Sequence, residues 1–275
     1  MFQSVRTLAV AAGLALAPAL SAHAASVVFS DAGPDAASIA DTVDAFRAQL
    51  GEPNNANTPG SQPTGRREIN WDGGGDAAPA TQFPTPMTTF ASRGNVNTTP
   101  GTGFEISGQP LPEFGDINPT YPDIFTTFSS PRLFAPLGSN VLDVLFTIPG
   151  TTDEPAVSSG FGAVFTDVDL AATTLMEFFD PLGASLGTFA APVFDQGLSF
   201  LGVFFDDTFI SRVRITLGNS ALGPNDGAGI DVVALDDFVY GEPQEAAAVA
   251  EPATLAMLAA GLASLVLLVR RRTAP

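Results

Sequence analysis

From residue 132 onward the chain is a series of short apolar runs, each ended by glycine, proline, asparagine or aspartate. RLFAPL, NVLDVLFTIP, SGFGAVFTDVD, TTLMEFFDPLGASLGTFAAPVF, LSFLGVFFDD, ISRVRITLGN and IDVVALDDFVYG follow one another with no amphipathic helical stretch between them. The runs are rich in β-branched and aromatic residues, which suit a pleated, half-buried surface. A parallel sheet needs crossover helices between its strands, so this pattern argues against one. The expected fold class is therefore all-β and mainly antiparallel, a β-sandwich or jelly-roll-like domain. Within it, TLMEFFDPLGASLGTFAAP predicts a hairpin turning at Asp180-Pro181-Leu182-Gly183. In ISRVRITLG the apolar Ile210, Val213, Ile215 and Leu217 oppose Arg212, Arg214 and Thr216, giving one dry face and one wet face.

The chain before residue 132 reads differently. Ile39, Val43, Phe46 and Leu50 recur at helical spacing, with Asp35 placed to cap the start and Gly51 the end. This predicts a helix over 35–50 that packs on the main domain. A polar loop follows at 52–65. Arg67–Trp71 alternates like a strand, and Asp72-Gly73-Gly74-Gly75 predicts a tight turn after it. Residues 76–131 hold many prolines, glycines and asparagines around short apolar islands such as GFEIS (103–107). They are expected to form edge strands or ordered loops rather than central strands.

Both ends look like processing signals. MFQSVRTLAVAAGLALAPALSAHAAS has one positive charge, Arg6, then an apolar run and an A-x-A site at Ala22-His23-Ala24. That is the layout of a secretory signal peptide, with cleavage after Ala24. At the other end, Ala253–Val269 is uncharged and Arg270, Arg271 and Arg272 follow at once. As a helix this run spans roughly 25 Å, near the lower limit for a bilayer core, and the arginines suit a cytoplasmic end. The expected organisation is a signal peptide at 1–24, a helix and polar loop at 25–65, a β-sandwich at 66–243, a linker at 244–249 and a tail at 250–275 with a transmembrane helix at 253–269.

Composition then excludes much chemistry. The chain has no cysteine and no lysine, and its only histidine, His23, lies in the signal peptide. A body of this kind cannot build a Ser-His-Asp triad, a Cys-His pair, a Schiff-base lysine or the usual His/Cys zinc site. Without disulfides, a hydrophobic core must supply the stability. The 29 acidic residues all fall between Asp31 and Glu251. The body sets only Arg47, Arg66, Arg67, Arg93, Arg132, Arg212 and Arg214 against them. So negative a field argues against nucleic acid and anionic lipid as partners.

Ala250-Glu251-Pro252, the short apolar helix and Arg270–Arg272 together resemble the PEP-CTERM sorting signal of exopolysaccharide-producing Gram-negative bacteria. The match covers about residues 249–272, and Ala250 stands where that family has its first proline. The resemblance implies an exosortase-type membrane enzyme as processing partner. It also implies export through the inner membrane, a transient membrane anchor, and a final place at the cell surface or outside the cell. Within the body, GRREINWDGGG, FGDINPTYP, SGFGAVFTDVD, SFLGVFFDD, RVRIT and VVALDDFVYGEPQ resemble a recurrent exported bacterial domain found before such tails. No activity attaches to that likeness.

Three sets of residues are candidates for a site. Asp231, Asp236 and Asp237 lie on or before the last long strand, and Asp226, with Asn219 and Asn225, in the loop before it. Adjacent strand residues point to opposite faces, so one of Asp236 and Asp237 should turn inward and need a partner. A terminal-strand aspartate of this sort resembles the structural Ca²⁺ ligand of jelly-roll carbohydrate-binding modules. The plain alternative pairs Asp237 with Arg212 or Arg214, or has it cap a turn. Next, Trp71 beside Asn70 and Asp72 suits a sugar stacked on the indole and held by polar groups. The plain alternative has Trp71 in the core and Arg67 paired with Glu68 on the surface. Last, Asp167 and Asp169 with Asp206 and Asp207 could form a carboxylate pair for glycoside hydrolysis. The expected function is non-catalytic: a structural or adhesive protein of an exopolysaccharide matrix or biofilm. The alternatives are a Ca²⁺-stabilised carbohydrate-binding module and a carboxylate-based glycoside hydrolase.

Overall fold

The structure, a computed structural model, describes residues 25–225 and 227–246. The expected signal peptide, Asp226 and the expected sorting tail, including the helix expected at 253–269, lie outside the described residues. Among the described residues no helix is long and apolar enough to cross a membrane.

In chain order, β1 (Ser26–Gly33) leads into helix α1 (Ala36–Leu50), then β2 (Arg66–Ile69), β3 (Thr81–Phe83), β4 (Asn95–Thr98) and β5 (Gly103–Ile106). A short helix α2 (Tyr121–Ile124) precedes β6 (Phe134–Leu137), β7 (Val141–Phe146), β8 (Ala156–Val157) and β9 (Gly160–Val168). The chain ends with β10 (Leu175–Phe179), β11 (Ser185–Ala190), β12 (Phe194–Phe205), β13 (Arg212–Thr216), β14 (Ala234–Gly241) and β15 (Gln244–Glu245). One sheet has the order β1-β12-β9-β14-β6-β5-β3, with β2 also paired to β14. A second has the order β11-β10-β13-β7-β4, and β15 pairs with β8. Every ladder between strands is antiparallel.

The two large sheets share one core. Phe161, Ala163 and Phe165 of β9 meet Leu142 and Val144 of β7, Met176 and Phe178 of β10, and Val213 and Ile215 of β13. The arrangement is sandwich-like, with the polar residues of β13 left outside. The hairpin turns where expected: Gly183 N–H donates to the Asp180 carbonyl, and the Asp180 carboxylate accepts from Leu182 and Ala184 N–H. Arg212 and Arg214 pair with Asp143 of β7 at 3.0 and 2.9 Å, not with Asp237.

The outer face of the larger sheet is covered as well. Ile39, Val43, Phe46 and Leu50 of α1, all buried, pack on Val164, Leu198, Phe200 and Val239. The Asp35 carboxylate accepts from Ser38 N–H and Gly51 closes the helix, as the sequence predicts. Gly162 of β9 and Gly202 of β12 are register partners beneath the Phe46 ring. A Cβ at either would lie 2.8 or 2.9 Å from that ring, so only glycine admits the helix this close. Because β9 is covered on both faces, all nine of its residues are buried, which explains its nearly continuous apolar sequence.

Two elements differ from the sequence reading. Residues 26–33 form a strand on the edge of the larger sheet, where only a helix and loop were expected. β5 lies between β6 and β3, one strand in from the edge, whereas β3 and β4 are edge strands as expected. The prolines flank GFEI without entering it, so β5 loses no ladder donor.

Candidate functional site

The ladder between β14 and β9 shifts register between Leu235 and Phe238. Leu235 and Phe238 both enter the sandwich core, so the two residues between them occupy one pleat as a β-bulge. Asp236 and Asp237 therefore leave on the same side, not on opposite faces as regular alternation predicts. Ser129 Oγ lies 3.1 Å from Asp236 Oδ1 and 2.6 Å from Asp237 Oδ1, and Phe128 N–H donates to Asp236 Oδ2 at 2.6 Å.

Burial raises the Asp236 pKa well above the usual carboxylate range, and the charge of Asp237 adds to the rise. Burial also raises Asp237, against the opposing pull of Ser129, Asp236 and Arg47. The folded protein thus holds a proton here that the unfolded chain releases. The stability this proton contributes is complete below the unfolded value, 3.8, and is lost as pH rises through the raised folded value. Asp236→Asn keeps an acceptor for Phe128 N–H, supplies an N–H toward Asp237 and cannot titrate. Its melting temperature is expected to exceed that of the parent at about pH 7, with the gap closing toward about pH 4. Parallel pH profiles for the two proteins would contradict this reading.

Beside Asp237 lies a polar cavity of about 340 Å³, lined by Arg47, Asn54, Ala56, Glu68, Asn70, Arg93 and Asp237. α1 brings Arg47, β2 brings Glu68, and the antiparallel pairing of Val239 with Glu68 sets Asp237 nearby. Arg47 Nη2 lies 2.9 Å from Glu68 Oε2 and 3.6 Å from Asp237 Oδ2, while Arg66 Nε holds Glu68 Oε1 at 2.7 Å. Arg67 does not pair with Glu68 on the surface. It is wholly buried and pairs with Glu242 at 2.7 Å. Asn70 and Asp237, which belong to separate candidate sets in the sequence, line one cavity. A small space walled by amides, guanidiniums and carboxylates offers alternating donors and acceptors, which suits a hydroxyl-rich ligand. A larger cavity of about 420 Å³ lies between Leu145–Ala156 and Asp180–Gly183. Its arginine, Arg212, is engaged by Asp143 and sits 3.6 Å over the Phe179 ring, so it offers less to a ligand.

The other sequence candidates fall elsewhere. Trp71 is closed to a stacked sugar: the indole is buried, stacks on Phe134 at 3.9 Å and donates from Nε1 to the Asp236 carbonyl at 2.7 Å. Asp72 accepts from Arg132 N–H and does not line the cavity. Asp231 is fully buried. It accepts from Asp169 and Leu170 N–H and from Thr173 Oγ, while Asn219 Oδ1 accepts from its own N–H. Asp236 and Asp237 bond to the Phe128–Ser129 segment instead, so Asp231 does not join them in one ligand set.

Asp167 and Asp169 likewise do not meet Asp206 and Asp207. Val168 faces Phe194 and Gly160 faces Phe204, so the two acidic pairs lie at opposite ends of the β9–β12 ladder. Asp195, which no local sequence signal marks, takes their place. One carboxylate oxygen from each of Asp167, Asp169 and Asp195 lies within 4.8 Å of the others, a spacing that could hold a metal ion. No protein family, curated protein or solved structure matches the chain.

Proposed function

We propose that this is an exported surface or matrix protein that binds polysaccharide and catalyses no reaction. The observation that carries the binding role is the polar cavity beside Asp237, whose amides and charged groups match the hydroxyls of a sugar. The body's lack of histidine, cysteine and lysine supports a non-catalytic role. Its acidic charge argues against nucleic acid as a partner. The export route rests on the sequence of the two ends. The signal peptide sends the body through the inner membrane, and helix 253–269 holds it there. An exosortase-type enzyme then acts at Ala250-Glu251-Pro252, leaving the body in the exopolysaccharide or biofilm. The mass of the protein recovered from the cell surface tests that route. The expected chain starts at Ala25 and lacks the C-terminal RRRTAP. A chain still ending in RRRTAP means a permanent anchor and sinks the sorting proposal.

A second reading, a Ca²⁺-stabilised carbohydrate-binding module, is supported by the Asp167, Asp169 and Asp195 cluster. It predicts a melting temperature that rises with added Ca²⁺ and falls back with EDTA. An unchanged melting temperature removes it.

A further inference from the structure

Four of the body's seven arginines gather around the polar cavity. Arg47 and Arg93 line it, and Arg66 holds the far oxygen of Glu68. Behind it, Arg67 donates to the carbonyls of Ala56 and Ser92. Three of them are matched by carboxylates, Arg47 and Arg66 by Glu68 and Arg67 by Glu242.

The seven arginines are not equally engaged. Arg47, Arg66, Arg67, Arg212 and Arg214 each end on a carboxylate. Arg132 donates to the carbonyls of Ser107, Gly73, Pro79 and Ile106. Arg93 is different. Its Nε donates to Asn57 Oδ1 at 2.9 Å and its Nη1 to the Glu68 carbonyl. Among the described residues no carboxylate pairs with it and Nη2 has no acceptor. Those two bonds, with the Phe90 ring 5.9 Å away, orient the guanidinium in advance. An oriented guanidinium whose Nη2 is left without a protein acceptor can give a charge-assisted hydrogen bond to a carboxylate.

Polar groups with spare bonding capacity share the cavity. Asn54 engages its Oδ1 with Ala56 N–H, leaving Nδ2. Asn70 is exposed, and Asp237 Oδ2 lies 3.6 Å from Arg47 Nη2. These are donors and acceptors for hydroxyls. A volume of about 340 Å³ accommodates roughly one sugar residue.

We propose that the cavity binds an acidic sugar residue, a uronic acid or a similarly carboxylated saccharide. Its carboxylate lies on Arg93 and its hydroxyls on Asn54, Asn70 and Asp237. This rests on the saccharide-binding reading above and names the ligand's class. The acidic body repels a densely charged polymer, so the natural glycan carries its acidic residues sparsely among neutral ones.

The test is isothermal titration of the full-length chain with digalacturonic acid and with the matching neutral digalactose. The acidic sugar is expected to bind about tenfold tighter or more, the value of one charge-assisted pair. Arg93→Gln is expected to abolish that difference. Asn70→Ala, at an exposed position, is expected to weaken both sugars alike. Equal binding of the two sugars by the parent protein overturns the acidic class alone, as does a difference that survives in Arg93→Gln. If neither sugar binds, the saccharide-binding reading falls with it.

Discussion

Arg67→Ala is expected to destabilise the protein by about 3–5 kcal/mol, the usual consequence of leaving one member of a buried ion pair alone. The Arg67 side chain is fully buried. It makes a fork with Glu242, Nε to Oε2 at 2.9 Å and Nη2 to Oε1 at 2.7 Å. It also donates to the carbonyls of Ala56, Ser92, Thr58 and Gly60 at 2.9–3.0 Å. Glu242 in turn accepts from Asn55 Nδ2 and Gln62 N–H. One guanidinium therefore fastens the polar 52–65 loop, which carries Asn54 into the cavity, onto the end of β2 and β14. Replacing both partners of a buried pair with apolar residues is often harmless. Here the Arg67→Met, Glu242→Leu double variant is expected to remain clearly destabilised, because the loop carbonyls still lose their donor. Urea unfolding of the three proteins checks this. A loss below about 1 kcal/mol in Arg67→Ala, or a double variant as stable as the parent, contradicts the account.

Trp71→Ala is expected to cost about 3–5 kcal/mol, as for other large buried aromatics. The indole lies between Phe134, Phe90 and Phe238, at centroid distances of 3.9, 5.1 and 5.1 Å. Its backbone adopts φ +62, a left-handed conformation rarely taken by a bulky residue. Trp71→Phe restores most of the apolar contact but leaves the buried Asp236 carbonyl without the Nε1 donor, so about 1–3 kcal/mol should remain lost. Calorimetric melting of both variants provides the measurement. Because Trp71 is the protein's single tryptophan, its fluorescence offers a second check. Emission should be that of a shielded indole and should not respond when sugar fills the cavity. A sugar-dependent shift would mean the ring is a stacking platform after all.

How far the sequence could be read depended on whether a feature was local. α1 was legible in full, because spacing, N-cap and C-cap all lie within one short segment and Phe46 needed only a facing surface. The Asp180 hairpin and the alternation of β13 were legible for the same reason. The partners of Arg212 and Arg214 were not: Asp143 reaches them through the β7–β13 register, set by residues distant in sequence. The bulge at Asp236–Asp237 was hidden because strict alternation assumes one residue per pleat, and nothing local marks the extra one. Alternation puts Arg67 on the inward face with Ile69 and Trp71, but its charge argued for the surface, and the partners that let it stay buried, Glu242 and the carbonyls of the 52–65 loop, are not adjacent to it in sequence. Asp195 joins Asp167 and Asp169 through the β9–β12 pairing, next to a register shift between Phe194 and Leu198. The residue types that line the cavity were legible, but their convergence was not, because α1, β2, β14 and the 52–65 loop each supply a part.

The account stands or falls on where a sugar sits. A crystal structure of the protein grown with digalacturonic acid tests this directly. The account predicts density for one sugar residue between Arg93, Asn54, Asn70 and Asp237, with its carboxylate against Arg93 Nη2. Sugar density bound instead in the larger cavity beside Asp180 and Arg212, or at the Asp167–Asp195 cluster, with the Arg93 cavity unfilled, would contradict it.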